Sequence, residues 1–421
     1  MHVFFVLLWF IFAILQLFLI SFLIQPFLLV LVYMTRKKKL LQIPIYPYSP
    51  AVKKYNFGII VTAHRETAFL PPIIDSLLRQ TYPFFNVYVV ADDCDISELQ
   101  FDDPRIQVLR PPTALNTNTK SIDYAIRHFK DTDEVIVIFD PDNLVHPSFL
   151  EVLNGWYNKG FRVVQGNLCA KNSHSKYEKI DSCGVLFNNF IDRDMRSLLG
   201  FSINIWGSGI SLDRAAYRAI TYNKQSQHGG FDKRMQLEII KNIGHIAYAR
   251  NAIVFDEKVS DGENLEQQRI RWISSYFKFW KGSVNLFLSG IRSRNPDHIY
   301  FGYNLMRPPY FLLILSAILF TGIYFAFYPW LSGVWALTLL LFILSFTIII
   351  STQAKDKGLT KGIFFMPLLL YHQVRSFTQL RKNRTSILKT GHSKIIYIDD
   401  LLKTKSIDEW AGSPSAPVSS S

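Results

Sequence analysis

Two acidic stretches and one basic, aromatic stretch carry the residue types that chemistry on a phosphate-bearing molecule needs. Residues 91–95 read ADDCD, with Asp92, Asp93 and Asp95, and residues 139–143 read FDPDN, with Asp140 and Asp142. Two carboxylates at i and i+2 in a turn can offer oxygens to one hard divalent cation, and Mg²⁺ commonly takes one or two carboxylates together with substrate phosphates. Aspartates in such places are also ordinary turn formers and helix caps, so either cluster alone is ambiguous; the two together favour ion binding. Lys120, at the start of a helical stretch between them, would complement phosphate charge, although a solvated lysine is ordinary there. The third stretch, EQQRIRWISS at 266–275, sets paired glutamines beside Arg269, Arg271 and Trp272. It reads either as an amphipathic helix on a membrane surface, with Lys278 and Lys281 toward headgroups, or as the wall of a site that holds an anion against the bilayer.

The elements that must position these residues follow from apolar runs. FGIIVTA (57–63), NVYVVAD (86–92) and EVIVIFD (134–140) are continuous and too short for helices, as buried parallel strands are, and RIQVLR (105–110) is a shorter candidate. Helical spacing occupies 69–79 and 119–129 between them. This alternation predicts an α/β domain with a doubly wound sheet, in which ligands bind beyond the carboxyl ends of the strands. Both acidic stretches stand at such ends.

Composition adds a membrane. Apolar residues make up 49% of the chain and aromatics 15%, unevenly spread. Val3 to Tyr33 holds no charge and is followed by Arg36-Lys37-Lys38-Lys39, a run long enough for a hydrocarbon core of roughly 30 Å. It is too long for a signal-peptide core, and no small-residue cleavage site follows. A second uncharged run, Pro308 to Ala354, is broken at Tyr328–Gly333, which reads as a turn between two spans. One transmembrane helix in 1–34 and two in 308–352 are expected. Arg36 to Lys39, Arg292, Arg294 and Arg307, and Lys355, Lys357 and Lys361 flank what would be one side, so the positive-inside rule puts the 55–281 domain in the cytosol. The net charge of +13 lies largely beside the spans, so no nucleic-acid partner is expected. Cys94, Cys169 and Cys183 show no CxxC spacing and read as structural thiols. The segment 361–405, with Pro367 early in it, is expected at the interface, and the small, polar 406–421 tail is expected to be disordered.

VTAHRE, ADDCD, NTNTKSIDYAI, FDPDN, WGSGISL, FDKRMQLEI and QRIRW together resemble the family 2 glycosyltransferases, in particular the membrane branch of cellulose, hyaluronan and poly-N-acetylglucosamine synthases. The resemblance covers 55–281 and implies a nucleotide-sugar-binding GT-A domain inserted between transmembrane helices. It implies that Asp92 contacts the nucleoside of a UDP-sugar, and that Asp140 and Asp142 hold the diphosphate through Mg²⁺ or Mn²⁺. Gly207, Ser208 and Gly209 match a small-residue loop near the acceptor, and Asp232 the catalytic base. Gln268, Arg271 and Trp272 match QxxRW, with arginine for the departing diphosphate and tryptophan for the acceptor sugar. Two departures stand out: Phe231 precedes Asp232 where the family has an acid, leaving Glu238 as a rival base, and His64-Arg65 replace the usual residues after strand one.

The implied activity is inverting transfer from a UDP-sugar to a growing β-linked polysaccharide, with single-sugar transfer to a lipid or lipid carrier as the alternative. The absence of a large regulatory insertion favours a bacterial inner membrane. A nucleotide-binding sensor without turnover is the competing class, supported by Phe231. A transporter is disfavoured, since no charge lies inside any span.

Overall fold

The computed structural model describes residues 2–41, 53–97, 99–220, 230–354, 356–380 and 394–403. The 406–421 tail and Lys355 lie outside them. An eight-stranded sheet runs in the order β3-β2-β1-β4-β7-β6-β8-β5, with β1 Phe57–His64, β2 Phe85–Asp92, β3 Ile106–Leu109, β4 Val135–Phe139, β5 Leu144–Val145, β6 Val163–Ala170, β7 Ile210–Asp213 and β8 Ala247–Asp256. The four strands read from apolar runs are parallel neighbours, as expected. β7 runs antiparallel between β4 and β6, and β5 antiparallel to β8, so the whole sheet is mixed.

Both faces of the first strands are covered, which is why they read as unbroken apolar runs. Ile59 and Val61 of β1, Val87 and Val89 of β2 and Val137 and Phe139 of β4 face one core, shared with the helices Leu70–Leu78 and Phe149–Asn158. Ile60, Tyr88, Val90, Ile136 and Ile138 face the other, under the helices Asn118–Arg127 and Phe231–Asn242.

Three helices are long and apolar enough to cross a membrane: Phe4–Arg36, Tyr310–Phe327 and Pro329–Gln353. The expected six-residue turn after the second is shorter than its composition suggests. Only Tyr328 separates the helices, because Pro329, whose missing N–H costs nothing at a first helical position, starts the next one. Polar contacts tie the first span to the Pro296–Leu305 helix, with Gln25 Nε2 donating to Asn304 Oδ1 at 2.8 Å and Ser21 paired with Tyr303 at 2.6 Å. That helix forms a close pair with the long helix Gly262–Ser293, which carries the QQRIRW stretch. A Cβ on Gly302 would sit 2.5 Å from the Phe287 backbone nitrogen, so the pair approaches to a distance only glycine allows. The Met366–Gln379 helix lies on the same long helix, with His372 Nδ1 2.7 Å from Glu266. The short Ile398–Leu402 helix packs Ile398 and Leu401 against Leu144, Ile253 and Phe255 of the sheet.

Candidate active site

The strand ends converge as the parallel arrangement requires. Asp92, at the end of β2, is buried and accepts from the backbone N–H groups of Leu115 at 2.6 Å and Asn116 at 2.8 Å, with His64 Nδ1 2.9 Å away. It therefore seats the loop that feeds the Asn118–Arg127 helix. Lys120 lies in the first turn of that helix, capped by Thr117, with its side chain exposed. Neither acidic cluster is joined to Lys120 by a hydrogen bond or ion pair among the described residues.

Asp140 and Asp142 follow β4 in a turn held from both ends. The Asn143 N–H donates to the Asp140 carbonyl at 3.2 Å, and the Asp140 N–H donates to Asn143 Oδ1 at 3.0 Å. Asp140 is half-buried and Asp142 buried. No group of three His, Cys, Asp or Glu side chains suited to a metal occurs among the described residues. A pair of carboxylates on a rigid turn still fits Mg²⁺ or Mn²⁺, because donor phosphates complete the coordination of such ions.

The small-residue loop is stitched to this turn. Ser208 is buried, and its hydroxyl donates to Asn143 Oδ1, so its side chain serves the Asp140–Asp142 turn rather than open space. Gly207 and Gly209 take the left-handed backbone, at φ 87° and 66°, where a side chain is strained. A Cβ on Gly207 would lie 3.5 Å from the Asp232 Cβ, which places that loop against the first turn of the Phe231–Asn242 helix.

Asp232 is the acid this packing brings to the loop. Burial pushes its carboxyl above the ordinary aspartate range, against the pull of Lys233 and Arg271. Glu238 instead accepts from Asn242 at 3.1 Å on its own helix. Six residues along a helix turn through roughly 600°, or 240° net, so the two acids point to different sides.

The two arginines of QQRIRW divide in the same way. Two residues apart on a helix is about 200°, so they face opposite directions. Arg269 turns inward, donating to Asp181 at 2.6 Å with its guanidinium 4.3 Å from the Trp272 ring. Arg271 is exposed and within electrostatic reach of Asp232. Gln268 Oε1 is buried and accepts no hydrogen bond from a described residue. Trp272 lies 6.5 Å from the ring of Trp206, which stands just before Gly207 under the guanidinium of Arg193 at 4.2 Å. Two indoles beside a carboxylate make a surface for the apolar face of a sugar.

The stacking of Trp206 beside Trp272, the contact of His64 with Asp92 and a buried ionic seam went unread in the sequence. In that seam Lys258 Nζ donates to Asp256 Oδ2 at 2.6 Å, while Asn143 Nδ2 donates to Asp256 Oδ1 at 3.3 Å. Burial opposes the charge on Lys258, but Asp256, Asp181 and Asp142 outweigh it and hold the ammonium above its ordinary range. The seam links the β4 turn to Asp181, and through it to Arg269 of the long helix. The signal available in the sequence was the DEK triplet at 256–258, charged residues directly after an apolar strand.

Lys258→Met removes the cation bonded to Asp256 and leaves only the buried Lys171 near Asp142 and Asp256, and breaking a buried pair this way costs at most roughly 3–5 kcal/mol. Thermal unfolding in detergent should show a lowered Tm, largely restored in Lys258→Met/Asp256→Met. A single variant as stable as the parent would mean that the seam carries no such charge.

The family model described as "Glycosyltransferase like family 2" matches residues 55–275. No curated protein matches the chain in sequence. Among solved structures, the mannosyltransferase PcManGT from Pyrobaculum calidifontis, in complex with GDP-Man and Mn²⁺, is similar at a TM-score of 0.51 and 14% identity, over 88% of this chain and 99% of that one. TarS from S. aureus is similar at 0.38 and 12%, over 81% of this chain and 57% of that one.

Proposed function

The chain belongs to glycosyltransferase like family 2, and we propose on that premise that it is an inverting membrane enzyme moving a sugar from a UDP-sugar to a growing β-linked polysaccharide. The observation that carries this reading is the meeting of two differently built carboxylate sites. The turn of Asp140 and Asp142 and the first helical turn bearing Asp232 are joined through one loop, Gly207-Ser208-Gly209. A donor diphosphate at the first would leave its anomeric carbon facing the second.

In this reading the acceptor hydroxyl attacks the anomeric carbon from the face opposite the phosphate. The new C–O bond forms as the bond to the diphosphate oxygen breaks, and the hydroxyl proton passes to Asp232. One displacement inverts the configuration. Asp232, raised by burial, is a stronger base than a solvated aspartate. Arg271 offsets negative charge on the departing diphosphate, while Trp272 and Trp206 hold the acceptor ring. Asp140 and Asp142 would hold Mg²⁺ or Mn²⁺, whose part is to neutralise the diphosphate. Asp92 fixes the loop on which the nucleoside rests, and Gln268 Oε1 offers an unused acceptor to a sugar hydroxyl.

Transfer of a single sugar to a lipid is the second reading, favoured by one contact. Arg193, which covers Trp206, belongs to a Phe190–Asp194 turn whose Phe190 and Ile191 pack in one cluster with Phe22 and Phe342 of the spans. The acceptor surface is thus one residue layer from membrane helices. The length of the product distinguishes the two.

The basic flanks support a cytosolic site domain in this reading, and the membrane is taken to be a bacterial inner one. A reporter fused after Tyr328 should then face outward; one that faces the cytosol overturns the orientation.

Purified protein incubated with radiolabelled UDP-glucose, UDP-N-acetylglucosamine and GDP-mannose should transfer from a UDP-sugar, lose activity with chelator, and bind donor more weakly as Asp140→Ala or Asp142→Ala. GDP-mannose as the working donor would replace the nucleotide assignment. Activity untouched by chelator would remove the metal, and no transfer at all would favour a sensor.

Because the raised carboxyl of Asp232 must be ionised to take a proton, activity should be present above its pKa and fall as pH drops through it. The acid limb of kcat/KM should therefore lie above the ordinary aspartate value of about 4. Asp232→Asn should abolish that limb and lower turnover by roughly 10² to 10⁴, with donor affinity nearly unchanged, while Glu238→Gln stays close to the parent. The reverse pattern would move the base to Glu238.

A further inference from the structure

A cavity of about 430 Å³ lies between the sheet and the end of the third span. Its polar wall comes from β6, β8 and the Lys176–Asn189 helix, and its span side from Gln353 and Ala354. Neither Asp232, Gly207 nor Trp272 lines it. Three of its lining residues, Leu186, Ala354 and Leu359, belong to the apolar cluster that packs the membrane helices. One wall therefore continues into the membrane-spanning part, where an acyl chain would lie.

The other wall holds polar groups with unused capacity. Ser182 is 2% exposed, and its hydroxyl is buried with no hydrogen-bond partner among the described residues. Asp194 Oδ1 is also buried and accepts no hydrogen bond, at 3.5 Å from Arg250 Nε. Buried polar atoms are nearly always satisfied by protein or by a bound molecule, so two along one cavity point to an occupant. Charge narrows its chemistry. Asp194, Asp356 and Asp400 line the cavity against Lys171 and Arg250. Lys171 sits 3.9 Å from Glu257, and Arg250 also donates to Gln353 Oε1 at 3.3 Å. A phosphate would meet carboxylates with the local cations already engaged. A hydroxyl suits both groups, donating to Asp194 Oδ1 beside its ion pair with Arg250 and accepting from Ser182.

We propose that this cavity holds the uncharged, hydroxyl-bearing headgroup of a membrane lipid, a glycosyl or glycerol head whose acyl chains run back along the third span. The site stands apart from the reaction proposed above and does not depend on the lipid receiving sugar.

The full chain reconstituted in nanodiscs of phosphatidylcholine, with either a monoglycosyl diacylglycerol or phosphatidylglycerol added, can be released and weighed by native mass spectrometry. The parent should retain the glycosyl lipid in preference to phosphatidylglycerol. Ser182→Leu, which fills the cavity and removes the hydroxyl, should lose that adduct by roughly tenfold or more while keeping the parent's circular dichroism and thermal unfolding midpoint, which shows that the domain is folded. Ser182→Ala, which removes only the hydroxyl, should lose several-fold and serves if the leucine variant does not fold. Absence of any lipid adduct would mean a water-filled cavity. That result, equal retention of phosphatidylglycerol, or parent-like retention by whichever variants fold would overturn the proposal.

Discussion

The buried side chain of Asn143 is the interaction on which the site depends. Its amide oxygen accepts from the Asp140 N–H and from Ser208, and its amide nitrogen donates to Asp256, the partner of Lys258. One amide thus joins the β4 turn, the Gly207–Gly209 loop and the end of β8. These segments are far apart in sequence, and each carries polar groups that burial would penalise without partners. Satisfying them together leaves one arrangement for the two aspartates, and a rigid pair of carboxylates has less freedom to lose on binding any ligand.

The same logic fixes the opposite wall. The Gly262–Ser293 helix is held at its start by Arg269 against buried Asp181, in its middle by close contact of Ser275 and Phe279 with Gly230, and near its end by the glycine contact of Gly302 with Phe287. Gly230, at φ 79°, opens the helix that begins with Phe231 and Asp232. A carboxylate there gains from the helix N-terminus, yet burial dominates and raises its pKa. The outcome is a carboxyl held above the ordinary aspartate range beside an exposed arginine.

Attachment to the membrane helices is ionic as well as apolar. Asp192 accepts from Arg307 at 2.7 Å and Arg196 at 3.0 Å, so the domain is clamped to a residue three positions before the second span. Trp206 and Arg193 belong to the same neighbourhood, and the pair of indoles at Trp206 and Trp272 is therefore mechanically continuous with the spans. Cys183 packs into this junction, where burial pushes its thiol up to about 12, in keeping with a structural rather than reactive role.

Local pattern alone determined the four parallel strands, the helices between them, the three spans and the acidic turn at the end of β4. Each is set by periodicity or by burial on two faces, which are properties of neighbouring residues. Tertiary packing decided the rest. Arg269 and Arg271 are indistinguishable by type, but only the fold puts Asp181 inside and Asp232 outside the helix they share. Which of Asp232 and Glu238 lies against the Gly207 loop is decided only by the packing of one face of their helix. Lys258 and Asp256 support the aspartate turn because β8 ends beside a segment more than a hundred residues earlier in the chain. Charge in a sequence carries no mark of burial; the partners that make burial tolerable are assembled only when distant segments close on one another.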